Sequence, residues 1–100
     1  MPTQNENLDW LQDWYARQCN GVWEHGWGIK IDTIDNPGWS ISIHLRETPL
    51  ESSSLGITKI DRTDDDWFHI WIRDRVFEGA GGARNLVDLI QAFRDLVEKR

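Results

Sequence analysis

The sequence predicts an α+β protein, in which a mainly antiparallel sheet of three to five strands carries an N-terminal and a C-terminal helix on one face. Three observations predict this fold. An amphipathic segment stands at each end of the chain, alternating apolar and polar residues lie between them, and no strand–helix–strand repeat occurs. One hundred residues are enough for one hydrophobic core and too few for two. We therefore expect residues 1–100 to form a single domain.

The two helices are recognised by the three- and four-residue spacing of their apolar side chains. Residues 8–18 carry such a stripe after a polar start, with Asn5 or Asn7 as the expected N-cap. Asn20 and Gly21 end this helix, since both residue types tolerate a left-handed backbone. The C-terminal helix shows a continuous apolar stripe, formed by Leu86, Leu89, Ile90, Phe93, Leu96 and Val97.

A hairpin is the clearest local pattern between the helices. Two alternating segments flank Pro37 and Gly38, which predicts a turn with Pro37 at its second position and a positive φ at Gly38. Alternation gives each strand one apolar and one polar face, so the apolar face requires a covering layer. That face is formed by Trp27, Ile29 and Ile31 in the first strand and by Trp39, Ile41, Ile43 and Leu45 in the second.

Further strands are expected in the second half of the chain. Residues 46–54, rich in Ser, Glu and Thr, predict a mobile loop, and a third strand is expected within residues 55–62. Residues 67–73 alternate with large groups on both faces, which is typical of a central strand, and a short strand is expected at 76–78. One face of the central strand carries Phe68, Ile70 and Ile72, and the other Trp67, His69, Trp71 and Arg73.

Composition and charge narrow the classes of function. Seventeen acidic and eleven basic residues give a net charge of −6, which disfavours nucleic acid and favours a basic partner. No apolar run approaches the roughly 18 residues of a membrane span, and no secretory signal opens the chain. A lone cysteine forms no internal disulfide, so we expect a cytoplasmic protein. Seven tryptophans exceed what so small a core accommodates, and some are expected on the surface.

Few residues form a pattern that carries catalytic chemistry. Glu24 and His25 are the first acid–base candidates, but neighbours on an extended chain point to opposite sides, and structural roles are expected for both. The spacing of His44, His69 and Cys19 matches no metal-binding motif, so neither a metal nor a cofactor is expected. Cys19 follows a helix, where the dipole disfavours a thiolate, and is expected to be a small packing residue.

Two segments resemble ligand-binding loops only in part. Residues 79–83 are rich in glycine but lack the Lys-Ser/Thr of a phosphate-binding loop, so a tight turn that lets the last helix approach the sheet is expected. Asp64, Asp65 and Asp66 lack the alternating ligand spacing of a calcium loop. They form either a solvated turn or a docking patch for a basic partner.

Several spaced motifs together carry a family resemblance. They are Leu-Gln-Asp-Trp-Tyr at 11–15, Gln-Cys-Asn-Gly at 18–21, Trp-Glu-His-Gly at 23–26, Gly-Ile-Lys-Ile-Asp-Thr at 28–33, Asp-Asn-Pro-Gly-Trp-Ser at 35–40, Asp-Trp at 66–67 and Gly-Ala-Gly-Gly at 79–82. From about Leu8 to the last helix, the chain resembles the immunity protein 53 family of bacterial polymorphic toxin systems. The resemblance implies a non-enzymatic cytoplasmic antidote that binds and neutralises a cognate toxin domain.

The residues that contact such a partner are chosen on physical grounds. Aromatic side chains make good binding anchors and carboxylates steer a basic partner, which predicts a patch formed by Trp23, Glu24, Asp64, Asp65, Asp66, Trp67 and Trp71. Two alternatives stay open. One is a small hydrolase or isomerase that uses Glu24 with His25 or His69 in a tryptophan-lined cleft. The other is a binding module that stacks sugars or peptides on exposed tryptophans.

Overall fold

A five-stranded antiparallel sheet with two long helices confirms the expected α+β class. The computed structural model describes residues 6–99. Within them, the strand order is β1-β2-β5-β4-β3, so β1 and β3 are the edges of the sheet. The elements are α1 (Glu6–Gln18), α2 (Trp23–Gly26), β1 (Ile29–Ile34), β2 (Gly38–His44), β3 (Thr58–Asp61), β4 (Trp67–Arg73), β5 (Val76–Gly81) and α3 (Leu86–Glu98).

Both long helices lie on the same face of the sheet, as predicted. Helix α3 packs across β2, β5 and β4, and α1 packs beside α3. Phe93 is the centre of this layer, because its ring meets Trp14 of α1 at 4.9 Å and Phe77 of β5 at 5.1 Å between centroids. Burial of these aromatic rings stabilises the contact between the helices and the sheet.

The alternation read from the sequence correctly predicts which side chains face the helices. Ile41, Ile43 and Leu45 are buried in the core, and Ile41 pairs with Ile31 across the predicted hairpin. On β4, Ile70 belongs to the core, and Phe68 and Ile72 pack against it. The opposite face of the sheet, which we call the outer face, carries the polar residues and Trp67, His69 and Trp71.

The connection between β1 and β2 differs from the predicted turn. Ile34 pairs with Gly38, so residues 35–37 form the connection, and the Asn36–Pro37 peptide bond is cis. Gly38 belongs to β2 and does not have the predicted positive φ. Its role is close packing, because a β-carbon at this position would overlap the carbonyl oxygen of Gly81 on β5.

The glycine-rich segment is a strand rather than a turn. Strand β5 continues from the expected residues 76–78 as far as Gly81, in the middle of the sheet. The predicted close approach of the helix is confirmed at Gly79, where a β-carbon would lie 2.9 Å from Leu89 Cδ2 of α3. Glycine therefore brings α3 close to the sheet through its missing side chain.

Two smaller expectations are corrected, and a third, the N-cap of the first helix, is decided only for Asn7. The segment 46–54 is tied to the core, because Leu50 is buried and the Thr48 hydroxyl donates a hydrogen bond to the Leu45 carbonyl at 2.8 Å. Cys19 is exposed rather than packed. Asn7 lies inside α1, where its side chain bonds to Gln91 and Arg94, while Asn5 is outside the described residues.

Candidate functional site

The structure separates Trp23 and Glu24 from the other five predicted partner-binding residues. Trp23 is fully buried, and its indole N–H donates to the carbonyl of His44, the last residue of β2. His44 is level with Arg73, the last residue of β4, whereas Asp66 precedes the first residue of β4. The Asp64–Asp66 segment is thus separated from Trp23 by about the length of β4, roughly 20 Å, whereas Trp71 lies two residues before Arg73 on the outer face. The predicted patch is not continuous.

Trp23 and Glu24 have structural surroundings. The Trp23 ring packs at 5.8 Å on Trp14, so it offers no surface to a partner in this conformation. The Glu24 carboxylate accepts hydrogen bonds from the backbone N–H groups of Asn20 at 2.9 Å and Gly21 at 2.8 Å. Hydrogen bonds from its own backbone amide and from these two amides lower the pKa of Glu24. Both residues hold the connection between α1 and β1 in place.

The other five predicted residues lie together, at the β3–β4 turn and on the outer face of β4. Asp64 and Asp65 are exposed, and neither forms an ion pair within residues 6–99. Trp67 and Trp71 are half-buried on the outer face. Asp61 pairs with Trp67 across the strands, and His69 lies between Trp67 and Trp71 on β4. We call this set the acidic-aromatic surface: Asp61, Asp64, Asp65, Asp66, Trp67, His69 and Trp71.

Asp61, Trp67 and His69 form a connected group at the middle of this surface. Asp61 pairs with Trp67 across the two strands, and its carboxylate oxygen lies 2.8 Å from Nε2 of His69. The rings of His69 and Trp67 are 5.0 Å apart between centroids. Each side chain therefore restricts its neighbours, and an ordered aromatic surface loses less conformational entropy on binding.

A nearly buried asparagine holds the acidic turn against α3. Asn85 is 3% exposed, and its amide nitrogen donates to Asp66 at 2.9 Å and to Asp88 at 2.7 Å. Its amide oxygen accepts the backbone N–H of Trp67 at 3.3 Å. Asp66 also lies 3.6 Å from Arg62. Asp66 is thus a structural carboxylate, while Asp64 and Asp65 are the ones that project freely.

Open cavities flank the acidic-aromatic surface. One of about 420 Å³ is lined by Asp61, Arg62, Thr63, Asp64 and Trp67, and places two carboxylates beside an aromatic ring. Arg62 on the same lining lies 3.6 Å from Asp66, which offsets its charge. Asp61, Asp64 and the ring therefore suit an arginine or lysine side chain, through ion pairing and a cation–π contact. A second groove, of about 440 Å³, is lined by Leu55, Gly56, Ile57, Lys59, His69, Trp71, Ile72 and Arg73.

His44 is the titratable group with the most unusual surroundings on the outer face. Its Nδ1 atom is buried and has no hydrogen-bond partner within the part of the chain that the structure describes. Burial lowers the pKa of His44, and the positive charges of Arg46 and Lys30 lower it further, while Glu78 opposes them. His44 is therefore held neutral at the end of β2.

The structure does not bring His69 together with Glu24 and His25, the other groups of the enzyme alternative. Glu24 and His25 lie on α2, next to Trp23 in the core on the helix side of the sheet. His69 projects from β4 on the outer face, level with Ser40 of β2 rather than with His44. Among residues 6–99, no group of three or more His, Cys, Asp or Glu side chains is arranged to hold a metal ion. Within the same residues, no helix is both long and apolar enough to span a membrane.

Sequence reasoning missed Asp61 and Asn85. The weak alternation of residues 55–62 does not fix the register that places Asp61 opposite Trp67. Asn85 gives only the ordinary signal of a residue preceding a helix, although its side chain forms no capping hydrogen bond and instead turns to Asp66 and Asp88. Its role depends on the packing of the β3–β4 turn against the start of α3, which the sequence does not reveal.

These features define a small α+β protein with one sheet face free of the long helices and an acidic-aromatic surface on that face. The family model of immunity protein 53 matches residues 8–98. The chain belongs to this family, which confirms the resemblance found in the sequence and implies an immunity protein with a protein partner. Searches of curated proteins and of solved structures gave no match.

Proposed function

We propose that this chain is a cytoplasmic immunity protein that binds the toxin domain of a polymorphic toxin system and neutralises it without catalysis. Membership of the immunity protein 53 family supports the immunity role and a protein partner. Within that role, the acidic-aromatic surface is the proposed contact. The observation that carries this choice is that the exposed Asp64 lines a cavity with Trp67, at the turn that leads into the strand whose outer face carries the half-buried Trp67 and Trp71.

The two kinds of side chain have different tasks in this proposal. Half-buried tryptophans lose their remaining solvent-accessible area in a complex, and such residues contribute a large share of binding energy. Exposed carboxylates act at a distance, because they accelerate the approach of a basic partner without adding much to the final affinity. We therefore expect Trp71 to determine the dissociation rate of the toxin domain, and Asp64 and Asp65 its association rate.

The immunity role is tested by co-expression. A tagged version of the chain is used to capture partners from the native bacterial lysate, and each neighbouring toxin-like reading frame is expressed with and without the chain. Recovery of one protein whose C-terminal domain kills cells only when the chain is missing supports the proposal. Failure to bind or to protect against any neighbouring toxin-like protein would contradict it.

The choice of surface is tested by charge reversal with a matched control. The double variant Asp64→Lys/Asp65→Lys and the control Asp13→Lys/Glu51→Lys each contain two reversals of two units, which take the net charge from −6 to about −2. Asp13 on α1 and Glu51 in the segment 46–54 are exposed and lie outside the acidic-aromatic surface.

Stopped-flow measurements of the association rate at several salt concentrations distinguish the effect of charge at this surface from the effect of net charge. We expect the surface variant to associate at least about tenfold more slowly than the control at low salt, with a weaker dependence on salt. Equal rates for the two variants would mean that only net charge matters. That result would remove Asp64 and Asp65 from the proposed contact.

A further inference from the structure

Strand β3 is an open edge of the sheet beside the acidic-aromatic surface. All four of its residues are exposed, and among residues 6–99 its only partner strand is β4. The Arg62 N–H donates to the Asp66 carbonyl at 2.9 Å, in the same register as the pairing of Ile60 with Phe68. Because hydrogen-bonded pairs alternate along an antiparallel ladder, the backbone N–H and C=O groups of Lys59 and Asp61 point away from β4.

Apolar surface flanks this edge on both faces of the sheet. On the outer face lies the groove of about 440 Å³ that contains Ile57 and Trp71. On the helix face, another groove, of about 460 Å³, is lined by Leu55, Thr58, Ile60, Phe68, Ile70, Ala92, Asp95, Leu96 and Lys99. Side chains of an added strand alternate between the two faces, so each face already has a place for them.

The exposed apolar residues distinguish β3 from the other edge of the sheet. Ile57 is 70% exposed and Ile60 is 37% exposed, whereas Ile29 and Ile31 of β1 pack against the core. Proteins usually protect a sheet edge with charge or with a short strand, and large exposed apolar side chains beside such an edge are typical of a binding site.

Charge indicates what kind of segment fits this edge. Residues 59–66 contain four carboxylates and two cations, and Asp61 and Asp64 line the cavity of about 420 Å³ beside Trp67. Resting on the function proposed above, we propose that the toxin domain adds an extended, basic segment to β3 as a sixth strand. An arginine or lysine of that segment enters the Asp61–Asp64–Trp67 cavity, and apolar side chains on either side of it fill the two grooves.

Amide hydrogen exchange of the wild-type chain tests this pairing without any substitution. In the free protein, the outward amides of Lys59 and Asp61 are expected to exchange rapidly. In the complex with the toxin domain that the chain neutralises, we expect both to be protected at least about tenfold, since each gains a backbone acceptor. Unchanged exchange in a stable complex would overturn the proposal.

A proline substitution provides the second measurement, with a matched control on the opposite edge. The Lys59→Pro variant removes an outward N–H, and the same change at Thr33 serves as the control. Thr33 also faces outward, because the hydrogen bond from His44 to Gly28 fixes the alternation along β1. We expect Lys59→Pro to weaken binding at least about tenfold and Thr33→Pro to leave it within about twofold.

The outcomes separate this inference from the proposed function. If the wild-type chain binds the toxin domain but its Lys59 and Asp61 amides stay unprotected, the strand addition is wrong and the immunity role stands. If Lys59→Pro and Thr33→Pro weaken toxin binding equally, the strand addition is likewise wrong and the immunity role stands. Protection of these amides in the free protein, with a dimer in sedimentation, would assign the edge to a second copy and overturn the proposal. If the wild-type chain binds no toxin domain, both proposals fail.

Discussion

Replacement of Asn85 by alanine tests how the acidic turn is held. Its amide nitrogen donates to two carboxylates, and its oxygen accepts the Trp67 amide. A hydrogen bond to a charged group is worth about 1.5–3 kcal/mol. Asp66 has a half-exposed side chain and regains water in the variant, so we expect a total loss near 2–3 kcal/mol in the free energy of unfolding.

The assay is urea or thermal unfolding followed by tryptophan fluorescence. A loss of this size lowers Tm by about 10 °C or more in a protein of this length. The control is Asn85→Asp, which keeps the acceptor for the Trp67 amide but places a third carboxylate beside Asp66 and Asp88. We expect it to be less stable than Asn85→Ala at neutral pH and to recover as acid protonates the cluster.

The reasoning would be refuted by either of two results. A change below about 0.5 kcal/mol in Asn85→Ala would mean that the hydrogen bonds add nothing to stability. Wild-type stability of Asn85→Asp at neutral pH would mean that the three carboxylates are not close enough to repel one another.

Three further changes test other parts of the fold. Gly38→Ala places a methyl group against the Gly81 carbonyl, and we expect a loss of about 1–3 kcal/mol in chemical denaturation; unchanged stability would mean that β2 and β5 separate freely. Phe93→Ala leaves a cavity between the helices and the sheet, and we expect it to lower the free energy of unfolding by about 3–5 kcal/mol. A loss near 1 kcal/mol would count against the central role of Phe93. Because folding lowers the pKa of His44, the unfolded chain binds a proton at a higher pH than the folded chain does. Stability is therefore full above about pH 6.5 and falls as pH drops towards the folded pKa. The His44→Gln variant should show a smaller fall in unfolding free energy between pH 6.5 and acid than the wild type, and an identical profile would contradict the assignment.

The fold is predictable from sequence where the alternation of apolar and polar residues along a strand determines which side chains are buried. Ile41, Ile43 and Leu45 were assignable to the core because a strand with one buried face must alternate. The same rule separated Phe68 from Trp67 on β4. The prediction for Gly38 is wrong, because its local sequence favours a turn, whereas the close approach of β5 requires a residue without a side chain.

The candidate site was less predictable, since it depends on contacts between residues far apart in the chain. Trp23 and Trp67 have similar local sequence signals, yet Trp23 is enclosed by Trp14 and the end of β2, and Trp67 lies on the outer face. The Asp64–Asp66 segment also looks uniform in sequence. Contacts with Asn85 and Arg62 separate Asp66 from its two freely projecting neighbours.

Cell survival is the most direct test of the account. Cells expressing the toxin domain that the co-expression test identifies receive the wild-type chain, Asp64→Lys/Asp65→Lys or Asp13→Lys/Glu51→Lys. The chains are compared at equal intracellular levels, with folding verified by tryptophan fluorescence. The account predicts that the wild type and the Asp13/Glu51 control protect the cells. The Asp64/Asp65 variant is predicted to protect them poorly, because its two lysines repel a basic toxin domain and slow its capture. Equal protection by the two variants would contradict the claim that the toxin meets Asp64 and Asp65 of the acidic-aromatic surface.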